Sequence, residues 1–516
     1  MTGSPTAAVT RSGPSATIGR ETVRALAQRL RAAAPYLLPS VPPAIPDPGQ
    51  DAMNLLTAMV DSVHTSGDVQ RLWLLWTALC SAFPDSDQLL EARRYLELAD
   101  ADGSAAWLLD VAYDAVLNAG TPTAEMDVVE DAVVVDVDFC ATNDHHTGIQ
   151  RVVRETVPRW VRDHELLLVG WTTASGALRR LGPHETDRVL RWDAVQSAGS
   201  AVPTSTRADQ RPGRLVVPWN STVVLPENPE PQRCPAIAAM AEHSGNVVTA
   251  IGYDCIPVVS PELIHPGLPD RFARYLTVIK HATAVAGIST SATEEFRGFA
   301  DMMPSQGLTG PRVVEVALPV EVPAHDGPAP AAEEPPLVMS VGSFEPRKNQ
   351  LAVLHAAERL WREGHRFSLR FIGGGGWRTE FDAEMNRLAA AGRDVQVAVR
   401  ITDQELWQTY RRARFSIFAS LHEGYGLPVA ESLAYGTPAL TTDYGSTAEI
   451  AAEGGALTVD PRDDDALLAA MRRLLTDDAL ITELQRAARA RPTRTWDDYA
   501  AELWDVLAVR PQGVAR

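Results

Sequence analysis

Glu423-Gly-Tyr-Gly-Leu-Pro-Val-Ala-Glu431, entered from the apolar run Arg414-Phe-Ser-Ile-Phe-Ala-Ser, is the stretch whose reading decides the fold. The apolar run reads as a buried strand, two glycines let backbone approach a ligand closely, and Pro428 suits the first position of a helix. That helix is expected over residues 429–435, stopped by Gly436 and then Thr437-Pro438. A helix N-terminus behind a glycine loop attracts phosphate. One carboxylate in the loop and one in the first helical turn can accept hydrogen bonds from hydroxyls on either side of that phosphate. The layout suits a donor with a sugar at each end.

Outward from this stretch, strands and helices alternate. LVMSVGS, SLRFIGG, VQVAVR, FSIFAS and ALTTD are each followed by a segment with helical spacing, which predicts a parallel sheet with helices on its faces over residues 337–495. Residues 496–509 read as a closing helix that packs back toward an earlier domain, and ALLAAMRRLLTDD with its continuation to Ala490 as one helix before it. Residues 319–336 are a proline-dense linker. Upstream, residues 130–318 form a second α/β domain, opened by AVVVDVDF, a glycine turn and a helix from Ile149. HELLLVGW, RLVVPWNSTVVL, NVVTAIGYD and ATAVAGIST supply its further strands, and residues 185–214 read as an irregular insertion. Residues 18–125 carry five apolar-periodic segments, an all-helical extension without a fixed repeat, and residues 1–17 are a disordered tail.

The chain has 516 residues, enough for two or three domains with cores of their own, and ordinary globular composition: 45% hydrophobic, 22% charged. A net charge of -19 argues against nucleic acid as a partner and against a broadly membrane-adherent surface. Cys80, Cys140, Cys234 and Cys255 are scattered, without CxxC spacing, and read as reduced structural thiols. The first twenty residues have no apolar core of a signal segment and no later run reaches membrane length, so the expectation is a cytoplasmic protein, at most peripheral to the inner membrane face.

A second motif stands at the first strand-to-helix turn of the later domain: Val341-Gly-Ser-Phe-Glu-Pro-Arg-Lys-Asn. Open parallel sheets bind ligands at such turns. Arg347 could grip a diphosphate through its fork and Lys348 as a point charge; a solvated pair is the bland alternative, made uncomfortable by cations opposing the helix dipole. Gly373 to Gly376 lack GxGxxG spacing, which sets a dehydrogenase aside. Asp136-Val-Asp138 has the form of a metal-binding DxD, but its place on a first strand favours a structural or acceptor-side role, and His145-His146 do not complete a ligand set. Glu423 and Glu431 as a glycosidase pair would have to face each other across a bond at ~5–9 Å. Residues 149–162 interleave apolar residues with Arg151, Arg154, Arg159 and Arg162, either a surface for an anionic acceptor or bilayer or a half-buried helix interrupted at Pro158.

SVGSFEPRKNQ, EGYGLPVAE and GTPALTTDYGSTAEIAAEGGALTVDP, in this order, resemble the retaining GT-B glycosyltransferases of glycosyltransferase family four. YDCIPVVSPELIHPG and TGIQRVVRE resemble its bacterial mannosyltransferase branch, and the likeness covers residues 130–507. It implies a GT-B fold, two Rossmann-like domains facing across a cleft, and transfer of a hexose, mannose from GDP-mannose by the branch, to a saccharide, lipid-linked or other hydroxyl acceptor. No cofactor and no metal are implied. By the resemblance Glu423, Arg347, Lys348 and Asp254 are the catalytic set. Gly342 and Ser343 line the donor phosphates, and Arg347 and Lys348 hold them. Glu423 and the backbone of Gly424, Tyr425, Gly426 and Leu427 reach hexose and phosphate, Glu431 binds ribose, and Ile401 in Arg400-Ile-Thr-Asp lies near the base. Gly148, with Arg151 beside it, faces the acceptor. Family members often carry His-Asp where this chain has Tyr253-Asp254, so the role of that His is left open. A nucleotide-sugar epimerase and a non-catalytic sugar-nucleotide scaffold remain as alternatives, and the helical extension is open to a partner or to oligomerisation.

Overall fold

The computed structural model describes residues 14–119, 121–144, 147–174, 176–197, 214–322, 334–376, 379–399 and 401–509. The expectations for the first thirteen residues, for His145-His146, for Arg400 and for most of the linker fall outside them.

In the later domain six short strands form one parallel sheet among the described residues: β10 Leu337–Val341, β11 Ser368–Ile372, β12 Val395–Ala398, β13 Phe415–Phe418, β14 Ala439–Thr442 and β15 Ala456–Val459. Their order is β12-β11-β10-β13-β14-β15. The central strands are buried on both faces, which is why they read as unbroken apolar runs. The chain runs outward from β10, then returns to β13 and runs the other way, so the order reverses between β10 and β13. A crevice opens at the carboxyl ends of such a pair.

The earlier domain repeats the plan on a larger sheet of nine strands among the described residues: β1 Met126–Glu130, β2 Val133–Asp136, β3 Leu167–Trp171, β4 Leu178–Arg180, β5 Leu215–Trp219, β6 Thr222–Leu225, β7 Val247–Gly252, β8 Ala284–Gly287 and β9 Arg312–Glu315. The order β1-β5-β4-β3-β2-β6-β7-β8-β9 reverses between β2 and β6. Every pairing is parallel except those of β4, which runs against both neighbours. The two α/β domains make the GT-B-like arrangement that the resemblance implies.

Five helices, Pro14–Leu37, Pro48–Ser66, Val69–Cys80, Ser86–Leu98 and Ala101–Ala119, precede the sheet and share its core. Buried Arg29 donates to the carbonyls of Ala78 (2.7 Å) and Ala124 (2.8 Å), and the Gln28 amide bonds both backbone groups of Met126, so the first helix holds β1 on the sheet edge. The closing helix Trp496–Leu507 joins the core of the earlier domain through Trp496, Tyr499, Leu503 and Leu507, and Trp160 Nε1 donates to Ala500 at 2.8 Å.

Several expectations need correction. The insertion contains two helices, Pro183–Leu190 and Trp192–Ser197, before the undescribed residues 198–213. The penultimate helix is two, Asp464–Thr476 and Asp478–Arg489, because the Asp477 side chain accepts from Leu480 N and caps a new start. The helix Gly148–Asp163 runs through Pro158. Its four arginines are engaged inside the chain. Arg151 pairs with Glu431, the Arg154 guanidinium lies 3.3 Å over the Trp192 ring, and Arg159 and Arg162 pair with Asp497 of the closing helix. Among the described residues no helix is long and apolar enough to cross a membrane.

Candidate functional site at the strand-order reversal

The turn after β10 and the turn after β13 lie side by side at the reversal. Gly342 has φ 149° and ends β10 with its N–H on Ile372 O, and the backbone N–H of Leu421 donates to the Arg347 carbonyl at 2.7 Å, which ties the two turns together. Lys348 Nζ donates to Glu423 Oε1 at 2.6 Å and Arg347 Nη1 lies 2.9 Å from the same oxygen. Arg347 Nε also holds Glu345, which accepts from Ser343 Oγ at 2.6 Å. Burial would raise the Glu423 pKa, but the charges of Lys348 and Arg347 outweigh it and lower it to about 2. Burial lowers that of Lys348, beyond what Glu423 restores. The result is a fixed anion shared by two cations, with a second carboxylate, Glu345, on Arg347, next to the helix Leu427–Ala434.

That helix begins two residues earlier than expected, with Gly426 (φ 110°) as its cap. Glu431 is therefore its fifth residue, in the second turn, which corrects its placement in the first. It is buried, and its Oε1 pairs with Arg151 Nη1 of the earlier domain while Tyr410 OH donates to Oε2 at 3.3 Å. Burial raises the Glu431 pKa above the usual carboxylate value, and Arg151 and Tyr410 reverse only part of the shift. Ile401 is half-buried in an apolar cluster with Tyr410, beside Trp407 and Tyr435, and Thr402 caps the following helix together with Glu405. The structure thus groups Ile401 with Glu431, and Arg347, Lys348, Ser343 and Gly342 with Glu423.

The glycine run after β11 has a packing reason. A Cβ on Gly373 would stand 2.0 Å from Gly342 O and one on Gly376 1.9 Å from Phe344 O, so this loop lies directly on the Gly342–Lys348 turn. Gly424 is pressed in the same way against the earlier domain, its Cβ position 2.4 Å from Tyr253 O and 3.1 Å from Asp254. Gly148 faces Leu427, whose end would stand in ordinary contact with a Cβ there, at 3.6 Å. Tyr425 OH donates to Leu318 O at 2.7 Å. Asp254 is half-buried at this joint. Burial raises its pKa to about 6 against the lowering charge of Arg347. Tyr253, which stands where the family's His is common, points its OH at Pro226 O (2.7 Å) in the core of its own domain.

At the reversal of the earlier sheet, Asp136 and Asp138 are held by partners within their own domain. Trp171 donates from Nε1 to Asp136 and from its backbone N to Asp138, both at 2.7 Å, and Arg233 pairs with Asp138 at 2.7 Å. Glu227 beside them takes the N–H groups of Phe139 and Cys140 at 2.9 Å. Among the described residues no group of three or more His, Cys, Asp or Glu is arranged to hold a metal ion. Glu345, Glu227, Glu295, His422 and Glu449 are residues of these joints that sequence reasoning did not single out. Glu345 and Glu449 lie inside the motifs quoted above, and His422 stands immediately before Glu423.

Residues 323–491, which contain both turns, match the family model described as Glycosyl transferases group 1. Among individual relatives, the chain is 26% identical over 345 residues to the serotype-specific mannosyltransferase WbdA of Escherichia coli, covering 62% of this chain and 39% of that protein. It is 30% identical over 140 residues to the O-antigen chain mannosyltransferase B of Escherichia coli, covering 27% of this chain and 36% of the relative. The chain therefore spans about two fifths of the length of the curated relatives it matches. A solved structure, WaaG, a glycosyltransferase involved in lipopolysaccharide biosynthesis, aligns at a TM-score of 0.47 and 16% identity over 73% of this chain and 99% of that one.

Proposed function

We propose that the protein is a retaining glycosyltransferase that moves a hexose from a nucleoside diphosphate sugar to a hydroxyl acceptor in polysaccharide or glycoconjugate assembly. The observation that carries this reading is the pair Arg347 and Lys348 converging on Glu423 beside a glycine-capped helix start, inside the matched family domain. The similarity to mannosyltransferases favours mannose, with GDP-mannose as donor.

As the bond to the sugar breaks, positive charge grows on the ring and negative charge on the departing diphosphate. Arg347, Lys348 and the amides at the start of Leu427–Ala434 stabilise that leaving group, and preorganised charges of this kind are the largest single contribution in many enzymes. In the resting structure Glu423 pairs with both cations. A diphosphate arriving between them would take over that part and release Glu423 to orient the hexose. Glu431 would exchange Arg151 for ribose hydroxyls. The donor phosphate itself accepts the proton of the attacking hydroxyl, so no side-chain base is assigned. With the diphosphate's charge met by side chains and amides, transfer is expected to survive chelation.

The test is a panel of GDP-, UDP- and dTDP-sugars, each with and without saccharide acceptors, with nucleotide release measured and EDTA present in parallel. Release that depends on an acceptor, greatest with GDP-mannose, is the expected result. Conversion of the donor sugar without any acceptor would make the protein an epimerase, and no turnover of any donor would leave a scaffold.

A further inference from the structure

The later domain docks on the earlier one through the start of the helix Thr290–Asp301. Glu449 accepts from Thr290 N at 3.0 Å and Ser291 N at 2.8 Å, and Ser289 Oγ donates to Gly424 O at 2.7 Å. One turn further on, Glu295 does something different. Its Oε2 accepts from Cys255 N at 2.6 Å, and its Oε1 lies 2.7 Å from His422 Nε2. Cys255 follows Asp254 in the chain and His422 precedes Glu423. One carboxylate on one helix therefore grips the neighbours of both acidic residues of the site, one in each domain. Ser260 Oγ holds the other ring nitrogen of His422 at 2.9 Å, and Arg347 Nη1 reaches the His422 carbonyl at 3.4 Å.

We propose that Glu295 and His422 form an interdomain clamp that sets the position of Asp254 against Glu423, which makes both of them positioning residues for the transfer reaction. The hydrogen bond to Glu295 raises the His422 pKa above its ordinary value, against burial that lowers it, and the charges of Glu295, Asp254 and Glu423 act in the same raising direction. Arg347 is the cation that faces this group, and Cys255 stays a neutral thiol because burial pushes its pKa far up. A raised histidine pKa means that the clamp is at full strength below the ordinary histidine value and weakens as pH rises through the raised one. The clamp is thus the part of the joint that alkali loosens, and it adjoins Asp254 and Glu423.

The test uses the full chain and the variants His422→Ala, His422→Gln and Glu295→Gln. Hydrogen exchange of the Cys255 amide comes first, because it does not rest on the transferase reading. It is expected to speed up in His422→Ala and, in the wild type, to speed up as pH rises beyond the intrinsic acceleration shown by His422→Gln. Turnover with the donor found in the panel comes second, and it does rest on that reading. The expected outcome is a kcat about 10- to 100-fold lower in His422→Ala, from misplacement without lost contact, with KM held within about 2-fold. His422→Gln, which can bond both Glu295 and Ser260, should recover much of kcat and lose the alkaline limb of the profile. Glu295→Gln should shift that limb to lower pH. Unchanged Cys255 exchange in His422→Ala overturns the clamp, as does a His422→Gln pH profile that coincides with the wild type. Altered exchange in a protein that turns over no sugar nucleotide would keep the clamp and sink the transferase reading.

Discussion

The two sheets reverse their strand order in the same manner, yet the crevices at the two reversals differ in charge. Between β10 and β13 stand Arg347 and Lys348 against two carboxylates, Glu345 and Glu423, the second ionised down to about pH 2. Between β2 and β6 stand Asp136, Asp138 and Glu227 with one arginine, and burial with mutual repulsion lifts Asp136 to about 6, while burial lifts Glu227 to about 7. Topology supplies a crevice in both places. What the crevice can hold is set by a handful of side chains at the strand ends: two cations balance the carboxylates of the first, and one arginine stands against three acids in the second. Under the proposed function the donor diphosphate binds at the first.

The largest expected effect tests the first crevice. Lys348→Ala leaves Glu423 with Arg347 alone and removes a charge from the expected leaving group; turnover should fall on the order of 100-fold or more. A Lys348→Ala enzyme with near wild-type kcat would mean that the diphosphate does not lie here. The next effect is on affinity. Glu431→Gln exchanges charge-assisted hydrogen bonds, worth roughly 1.5–3 kcal/mol, for neutral ones worth roughly 1 kcal/mol. Calorimetric titration with GDP should show binding weakened by about 3- to 10-fold. Unaltered GDP affinity would place ribose elsewhere.

The acidic side is tested by pH. Folding lifts the Glu227 pKa from 4.5 to about 7, so the folded state binds a proton more tightly than the unfolded one. Its contribution to stability is then lost as pH rises between those two values, by on the order of 3 kcal/mol at about 1.4 kcal/mol per unit. Asp136 and Asp254 act in the same direction over a lower window. Glu227→Gln mimics the protonated form, so its melting temperature should fall less between pH 5 and pH 7.5 than that of the wild type. Parallel melting curves with equal slopes against pH would show that Glu227 is ionised at both.

The contrast between the crevices was half legible in the sequence. β13, the Gly-Tyr-Gly turn and Pro428 are consecutive in the chain, and an apolar run, two glycines and a proline specify strand, turn and helix by local rules. Arg347-Lys348 is legible for the same reason. The partners are not. Arg151 meets Glu431 from 280 residues away, Arg233 reaches Asp138 from a different strand end, and Glu295 reaches His422 from the other domain. No spacing rule joins such pairs. Short or exposed elements were equally hidden. β4 has three residues, two of them arginines, and β1 interleaves acids with its apolar residues. At Asp477 the apolar spacing continues across the break, and only the side-chain cap on Leu480 N shows that one helix has ended and another begun.

The smallest expected change separates two glycines that the sequence presents alike. Gly424 is required by the fold, because any Cβ there would meet the Tyr253 carbonyl at 2.4 Å and the Asp254 side chain at 3.1 Å. Gly148 is not. It opens the helix Gly148–Asp163 with ordinary backbone angles, and its nearest neighbour would be the flexible end of Leu427 at 3.6 Å. Alanine at a helix position is favoured over glycine by up to about 1 kcal/mol. Gly148→Ala should therefore melt at or slightly above the wild-type temperature. If glycine stands there so that a ligand can approach the backbone between the two crevices, the same substitution should lower transfer while leaving the fold intact. A Gly148→Ala variant equal to the wild type in both stability and turnover would remove Gly148 from the site and leave the donor crevice bounded by Leu427 alone on that side.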